Sequence, residues 1–214
     1  MADQEGVINF AYNLQPADAA VAEVELIASL GGWRALFKRL GLIGQDAERY
    51  GGFGFGNLSA RDVERPDEFV ISASQTGVLT ALQDKHLVRI TGYSLERFWV
   101  DATGSQPPSS ETLTHAMIYS ADPRISWVFH CHSPEIWQRA EDLTIPCTDT
   151  DVAYGSQEMV GAVAELLDKN QSRPLLFATL GHEDGVFCCG PTARDTGGLL
   201  VSYLAKSLSA DATG

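Results

Sequence analysis

The stretch VFHCHSP, residues 128–134, sets two histidines on either side of a cysteine inside an apolar run. In a strand, residues i and i+2 project from the same face. The imidazoles of His130 and His132 then point one way and Cys131 the other. Two neutral imidazoles side by side are half of a metal site. A chain with only five histidines must supply the other half elsewhere. Otherwise the pair reduces to one buried, hydrogen-bonded ring and one ring at the surface.

A catalytic zinc usually takes three protein ligands and keeps a position for substrate. His182, in TLGHEDG, stands at the end of an apolar strand just before a turn, which makes it the best third ligand. Glu111 is the best nearby carboxylate, because it opens a helix that runs directly into the HxH strand. His115 lies one helical turn after Glu111 on the same face. It reads as a core or surface histidine, with a supporting place behind Glu111 as the alternative. His86, beside Asp84 and Lys85, reads as solvated, and Glu183 and Asp184 read as turn residues. Other zinc templates fit poorly. There is no HExxH and no paired cysteine spacing, and Glu135 follows His132 too closely for a cupin.

The 214 residues suffice for one sizeable domain. The expected division is a loose arm over 1–14 and a single domain over 15–214. PADAAVAEVELIASL, from Pro16 to Leu30, reads as a helix that GGW breaks, and WRALFKRLGLI as a second helix stopped near Gly41. The glycine-rich GQDAERYGGFGFGNLSAR reads as a loop entering a short strand. EFVISAS (68–74), the stretch 86–91, RFWVDAT and ISWVFHCH read as strands. SSETLTHAMIYSA reads as a helix capped by Ser109 or Ser110, with Glu111 in its first turn. SQEMVGAVAELLDKN reads as a helix with a serine cap, and TARDTGGLLVSYLAKSLSA as a final helix capped by Thr192. PLLFATLGHEDGVFCCG reads as a hairpin. These elements predict an α/β chain in which helices cover a mainly antiparallel sheet, rather than regular βαβ winding.

Three small-residue segments could cradle an anion. GFGNLSAR offers Asn57 and Ser59, and SASQTGV offers Ser74, Thr76 and the Gly77 N–H. PPSSE puts Ser109 and Ser110 at a helix N-terminus, where free N–H groups and the helix dipole favour negative charge. Taken singly, each is ordinary structural punctuation. Their order along the chain, followed by Glu111, the HxH pair and His182, is what informs.

The formal charge of −13 disfavours nucleic acid and anionic membranes as partners. A small anionic substrate stays open, because a few aimed N–H groups hold a phosphate locally. No apolar run approaches a membrane span, and MADQEGVINF lacks the pattern of a secretory signal. Cys131, Cys147, Cys188 and Cys189 therefore read as reduced thiols of a cytoplasmic protein.

The segments GNLSAR, SQTG, PSSETLTHAMIY, VFHCHSP and GHEDGVFCCG, in this order, make the chain resemble the class II aldolase/adducin family over about residues 20–206. The resemblance implies a three-layer αβα sandwich with a mostly antiparallel central sheet, a homotetramer and a zinc-dependent site. Carried over by motif, it implies His130, His132 and His182 as metal ligands. Glu111 becomes the acid/base that also reaches the metal in an empty site. Asn57, Thr76, Gly77, Ser109 and Ser110 become the phosphate cradle. The implied activity is retro-aldol cleavage of a sugar phosphate or related hydroxy-ketone. A sugar-phosphate 4-epimerase using the same site and a non-catalytic adducin-like module are the alternatives. The chain departs from the family pattern in the long glycine-rich insert before GNLSAR and in HEDG where many aldolases have HG. The tyrosine-bearing tail of several aldolases is not recognisable.

Overall fold

Apolar residues on both faces of the central strands require cover on both sides, and the helices supply it. The computed structural model describes residues 6–62 and 64–211, with the backbone alone for Ala210 and Asp211. In chain order the elements are β1 (Ala11–Gln15), α1 (Val24–Arg39), β2 (Gly44–Gln45), β3 (Gly54–Phe55), β4 (Asn57–Arg61) and β5 (Phe69–Ser72). Then follow β6 (Leu87–Ser94), β7 (Trp99–Gly104), α2 (Thr112–Ala121), β8 (Trp127–His132), α3 (Pro134–Trp137) and β9 (Cys147–Thr148). The chain closes with α4 (Gln157–Lys169), β10 (Leu175–Thr179), β11 (Gly185–Gly190) and α5 (Ala193–Asp211).

One nine-stranded sheet has the order β1-β7-β6-β5-β4-β8-β11-β10-β9, and β2 and β3 form a separate pair. Every pairing from β7 to β10 along that sheet is antiparallel, and the two outermost pairings, β1 with β7 and β9 with β10, are parallel. Val128 belongs to one core, with Leu113 and Ala116 of α2 and Met159 and Val163 of α4. Phe129 and Cys131 belong to the other, with Leu30 and Phe37 of α1, Ile136 of α3 and Leu200 and Leu204 of α5. The alternation along β8 thus builds a three-layer αβα arrangement with a mostly antiparallel sheet, as the family resemblance implies.

Several sequence expectations need correction. The arm expected over 1–14 is not loose at its end: Ala11–Gln15 is an edge strand in register with Trp99–Thr103. Residues 1–5 lie outside the described residues. The GGW break does not exist. One helix runs through Gly31 and Gly32, because the burial of Leu30, Arg34 and Phe37 on its inner face outweighs the poor helix propensity of two glycines. The segment 16–23 stays outside that helix. Helix α2 begins after Glu111, without a side-chain cap from Ser109 or Ser110. Ser156 and Thr192 do act as capping groups, accepting from the N–H groups of Met159 and Asp195. His86 is buried rather than solvated, and its Nδ1 accepts from the Gln83 N–H at 3.1 Å.

Candidate metal centre

The sheet register assembles the site. Strand β8 lies between β4 and β11, which sets Asn57 beside His130 on one side and Phe187 beside His130 on the other. His182 stands in the connection between β10 and β11, and Gly185 pairs with His132. A side chain at Gly185 would meet Thr179 Oγ1 at 2.6 Å and His182 Nδ1 at 2.9 Å, so glycine there leaves room for the ring. Glu111, at the entrance to α2, closes the fourth side.

All four expected groups come together. One ring nitrogen from each of His130, His132 and His182 lies within 4.8 Å of the others. Glu111 Oε2 is 2.7 Å from His130 Nε2, and Oε1 is 3.4 Å from His182 Nδ1. All four side chains are buried. Asn57 Nδ2 donates to Glu111 Oε2 at 3.0 Å, tying the centre to the candidate anion cradle.

The donor set fits a divalent cation. His130 Nδ1 lies 3.2 Å from the Val186 carbonyl, which only an N–H can satisfy, so a neutral ring carries its lone pair on Nε2. That Nε2 faces His132 Nε2 at 3.2 Å. Two nitrogens about 2.0–2.1 Å from one tetrahedral ion would sit about 3.3 Å apart. The two Nε2 atoms at this spacing need a proton or a cation between them, and a ring nitrogen of His182 completes the group within 4.8 Å. Glu111 Oε2 lies 2.7 Å from the same His130 Nε2, a second lone-pair contact that a proton or a cation must bridge, so the carboxylate stands at the edge of the three-histidine group.

Electrostatics follow the burial. Burial pushes the Glu111 carboxyl up, but the neighbouring His130 and His182 rings outweigh it and hold the group well below the usual carboxylate range. Burial, reinforced by the His182 and His130 charges, pushes His132 well below its ordinary value. Both effects favour a carboxylate and a neutral imidazole, the forms that bind a cation.

Each imidazole also has an aromatic neighbour that the sequence reading missed. Phe187 stacks on His130 at 4.3 Å between ring centroids, Tyr154 stacks on His182 at 4.5 Å, and Tyr50 meets His132 edge-on at 4.5 Å. Tyr50 donates to Asp184 Oδ2 at 2.7 Å, so Asp184 is more than a turn residue. The signal was present in the glycine-rich insert and in HEDG, the two departures from the family pattern. His115 is a core histidine, with Nδ1 2.7 Å from Ser59 Oγ.

The expected cradle residues also converge. Asn57, Thr76, Gly77, Ser109 and Ser110 line one cleft together with Gln75. Gly77 is required there, because a side chain would meet the Gly44 carbonyl oxygen at 2.1 Å. The Thr76 hydroxyl donates to the Ala73 carbonyl. The N–H groups of Thr76 and Gly77 have no hydrogen-bond partner among the described residues.

Comparison with known proteins agrees with this picture. The profile of the Class II Aldolase and Adducin N-terminal domain family matches residues 45–203. An L-fuculose 1-phosphate aldolase structure superposes with a TM-score of 0.65 at 17% identity, covering 87% of this chain and 84% of that one. The L-fuculose-1-phosphate aldolase of Thermus thermophilus gives 0.63 at 18% identity, over 87% of this chain and 92% of that one. YgbL of Escherichia coli gives 0.66 at 16% identity, over 89% and 90%. These likenesses establish the fold. No helix among the described residues is long and apolar enough to cross a membrane.

Proposed function

The chain belongs to the class II aldolase and adducin family, and from that premise we propose that it is a metal-dependent aldolase-type lyase acting on a sugar phosphate or a related hydroxy-ketone. One observation carries this reading: three imidazoles and a carboxylate converge beside a cleft lined with free N–H groups. A degenerate interaction module has no need of that arrangement.

In this reading His130, His132 and His182 hold the cation, zinc first, with manganese, cobalt or iron as alternatives. Bound there, the ion supplies Lewis-acid stabilisation of negative charge on substrate oxygens. The chain's own residues do the rest. The Thr76 and Gly77 N–H groups, Ser109, Ser110 and the Asn57 amide bind the phosphate and fix the ketose relative to the centre. In the retro-aldol step one carbon–carbon bond breaks. The hydroxyl on the departing side loses its proton and becomes an aldehyde. The electron pair stays on the ketone-side carbon, which must then take up a proton. Glu111, unprotonated and hydrogen-bonded to Asn57, is the group that carries protons to and from the carbon skeleton. Four free cysteines suit a reducing cytoplasm, and the family resemblance points to a homotetramer, which the mass in solution checks.

The test uses the purified full chain loaded with zinc and offered a panel of ketose 1-phosphates. Release of dihydroxyacetone phosphate and an aldehyde supports the lyase. Recovery of an inverted ketose without release replaces it with the 4-epimerase. Failure to bind stoichiometric metal, with no thermal stabilisation by added zinc, ends both enzyme readings.

A further inference from the structure

Helix α1 lies outside every motif that points to the family, yet it sends two cations to the back of the candidate anion cleft. Arg34 is only 2% exposed. Its Nη1 donates to the Leu79 carbonyl at 2.7 Å, and its Nη2 donates to the carbonyls of Thr76 and Gly77. Lys38, one turn later on the same face, donates from Nζ to the carbonyls of Gly77 at 3.1 Å, Val78 at 2.8 Å and Leu79 at 2.9 Å. Two side chains thus grip the carbonyls of all four residues of the turn 76–79.

Two features make this more than a packing contact. A peptide's N–H and C=O point in opposite directions. The Thr76 carbonyl shares its peptide with the Gly77 N–H, so drawing that carbonyl toward α1 turns away from the helix the N–H of Gly77, a cleft-lining residue whose N–H has no hydrogen-bond partner among the described residues. The second feature is charge. Among the described residues neither Arg34 nor Lys38 has a carboxylate at ion-pair distance, in a chain with 28 acidic and 15 basic residues. A buried guanidinium satisfied only by neutral carbonyls is an uncompensated charge, and buried charges normally have a counter-charge. The cleft on the other side of the turn is where that counter-charge can sit.

We propose that Arg34 and Lys38 are positioning residues for an anionic substrate group. They hold the turn 76–79 by its carbonyls and supply the positive charge that makes the cleft select a phosphate ester over a neutral sugar. This rests on the proposed reading of the cleft as a phosphate cradle.

The probe is inorganic phosphate, titrated into the zinc-loaded full chain and followed by melting temperature and by calorimetry. Lys38→Met, at a half-buried position, is expected to fold and to weaken phosphate binding roughly tenfold. Arg34→Gln is expected to weaken it at least as much, and Arg34→Lys to recover part of the loss. Zinc content should stay unchanged in all three. With turnover in hand, KM for a phosphorylated ketose rises while the constants for its unphosphorylated counterpart hold, a split that a merely structural defect would not produce. If the parent chain binds phosphate and Lys38→Met binds it equally well, the positioning role is wrong and the cradle reading stands. If the parent chain itself does not bind phosphate, the cradle reading falls and the positioning role falls with it.

Discussion

Tyr50 and Asp184 are 134 residues apart in the sequence, and the Tyr50 hydroxyl donates to Asp184 Oδ2 at 2.7 Å. Arg49 Nη2 donates to the same Tyr50 oxygen at 2.7 Å. The contact joins the glycine-rich insert to the loop after His182 and lays the Tyr50 ring against His132. Tyr50 takes a positive φ of 48°, unusual for a residue with a large side chain, so the surrounding contacts must hold it there. Tyr50→Phe keeps the ring and removes the donor. The expected loss is about 1 kcal/mol, a melting temperature lower by about 2–4 °C. With the cover loosened, a chelator should strip bound zinc faster. A variant that matches the parent in both measurements would mean the contact is not populated in solution.

His132→Ala tests the centre itself. Removing one of three imidazoles should lower zinc affinity at least about 100-fold and abolish turnover, while circular dichroism still reports a folded chain. Metal content is the readout that decides. A variant that retains stoichiometric zinc at parental affinity would remove His132 from the ligand set.

Glu111→Gln separates proton transfer from metal binding. The amide preserves shape and one acceptor but carries no charge and cannot take up a proton. Zinc should remain bound while turnover falls about 10²–10⁴-fold. Near-normal rates would take Glu111 out of the proton-carrying role and leave it as an orienting partner of His130 and Asn57.

The two glycines that misled the sequence reading offer a stability test. Gly31 and Gly32 sit inside α1, and a side chain at either position would have nothing within 4 Å. Neither has a positive φ. Alanine should therefore stabilise the chain by about 0.5–1 kcal/mol at each site, through lower unfolded-state entropy and better helix propensity. Thermal melts of Gly31→Ala and Gly32→Ala check this. A decrease would show that the backbone at GGW needs glycine after all.

What the sequence disclosed, and what it hid, follows from the range of the interactions involved. His130, His132 and Cys131 were legible because a strand's alternation is local, and the structure places Cys131 in one core and both imidazoles on the other face. The hairpin around His182 was legible for the same reason. The helix through Gly31 was not, because the burial of Leu30, Arg34 and Phe37 that sustains it comes from strands far along the chain. Ala11–Gln15 carries no strong alternation, and its strand character comes from pairing with β7. Tyr50 and Asp184 stood in segments already marked as unusual, but only tertiary structure shows that the two segments meet. Arg34 and Lys38 look like ordinary helix charges until the turn they grip is known.

His115 gives the chain a predictable acid sensitivity. The ring is buried, its Nδ1 is 2.7 Å from Ser59 Oγ, and that oxygen lies 2.7 Å from the Tyr119 hydroxyl. Burial dominates, with Glu111 pulling the other way and His130 reinforcing it, and pushes His115 from its ordinary 6.5 down to about 3. The folded chain therefore keeps this ring neutral in a range where the unfolded chain protonates it. The stability so conferred is fully present above the ordinary value of 6.5 and is lost as pH falls from there toward about 3. The slope for one proton reaches about 1.4 kcal/mol per pH unit. His115→Gln removes the titrating group and keeps a polar partner for Ser59. Its melting temperature should fall less steeply than the parent's between pH 6.5 and about pH 4. The histidines of the candidate metal centre and the carboxylates of Asp62 and Asp122 are common to both proteins and cancel in the difference of slopes. Parallel slopes across that window would show that His115 is not held neutral by its surroundings, whatever the absolute stabilities of the two proteins.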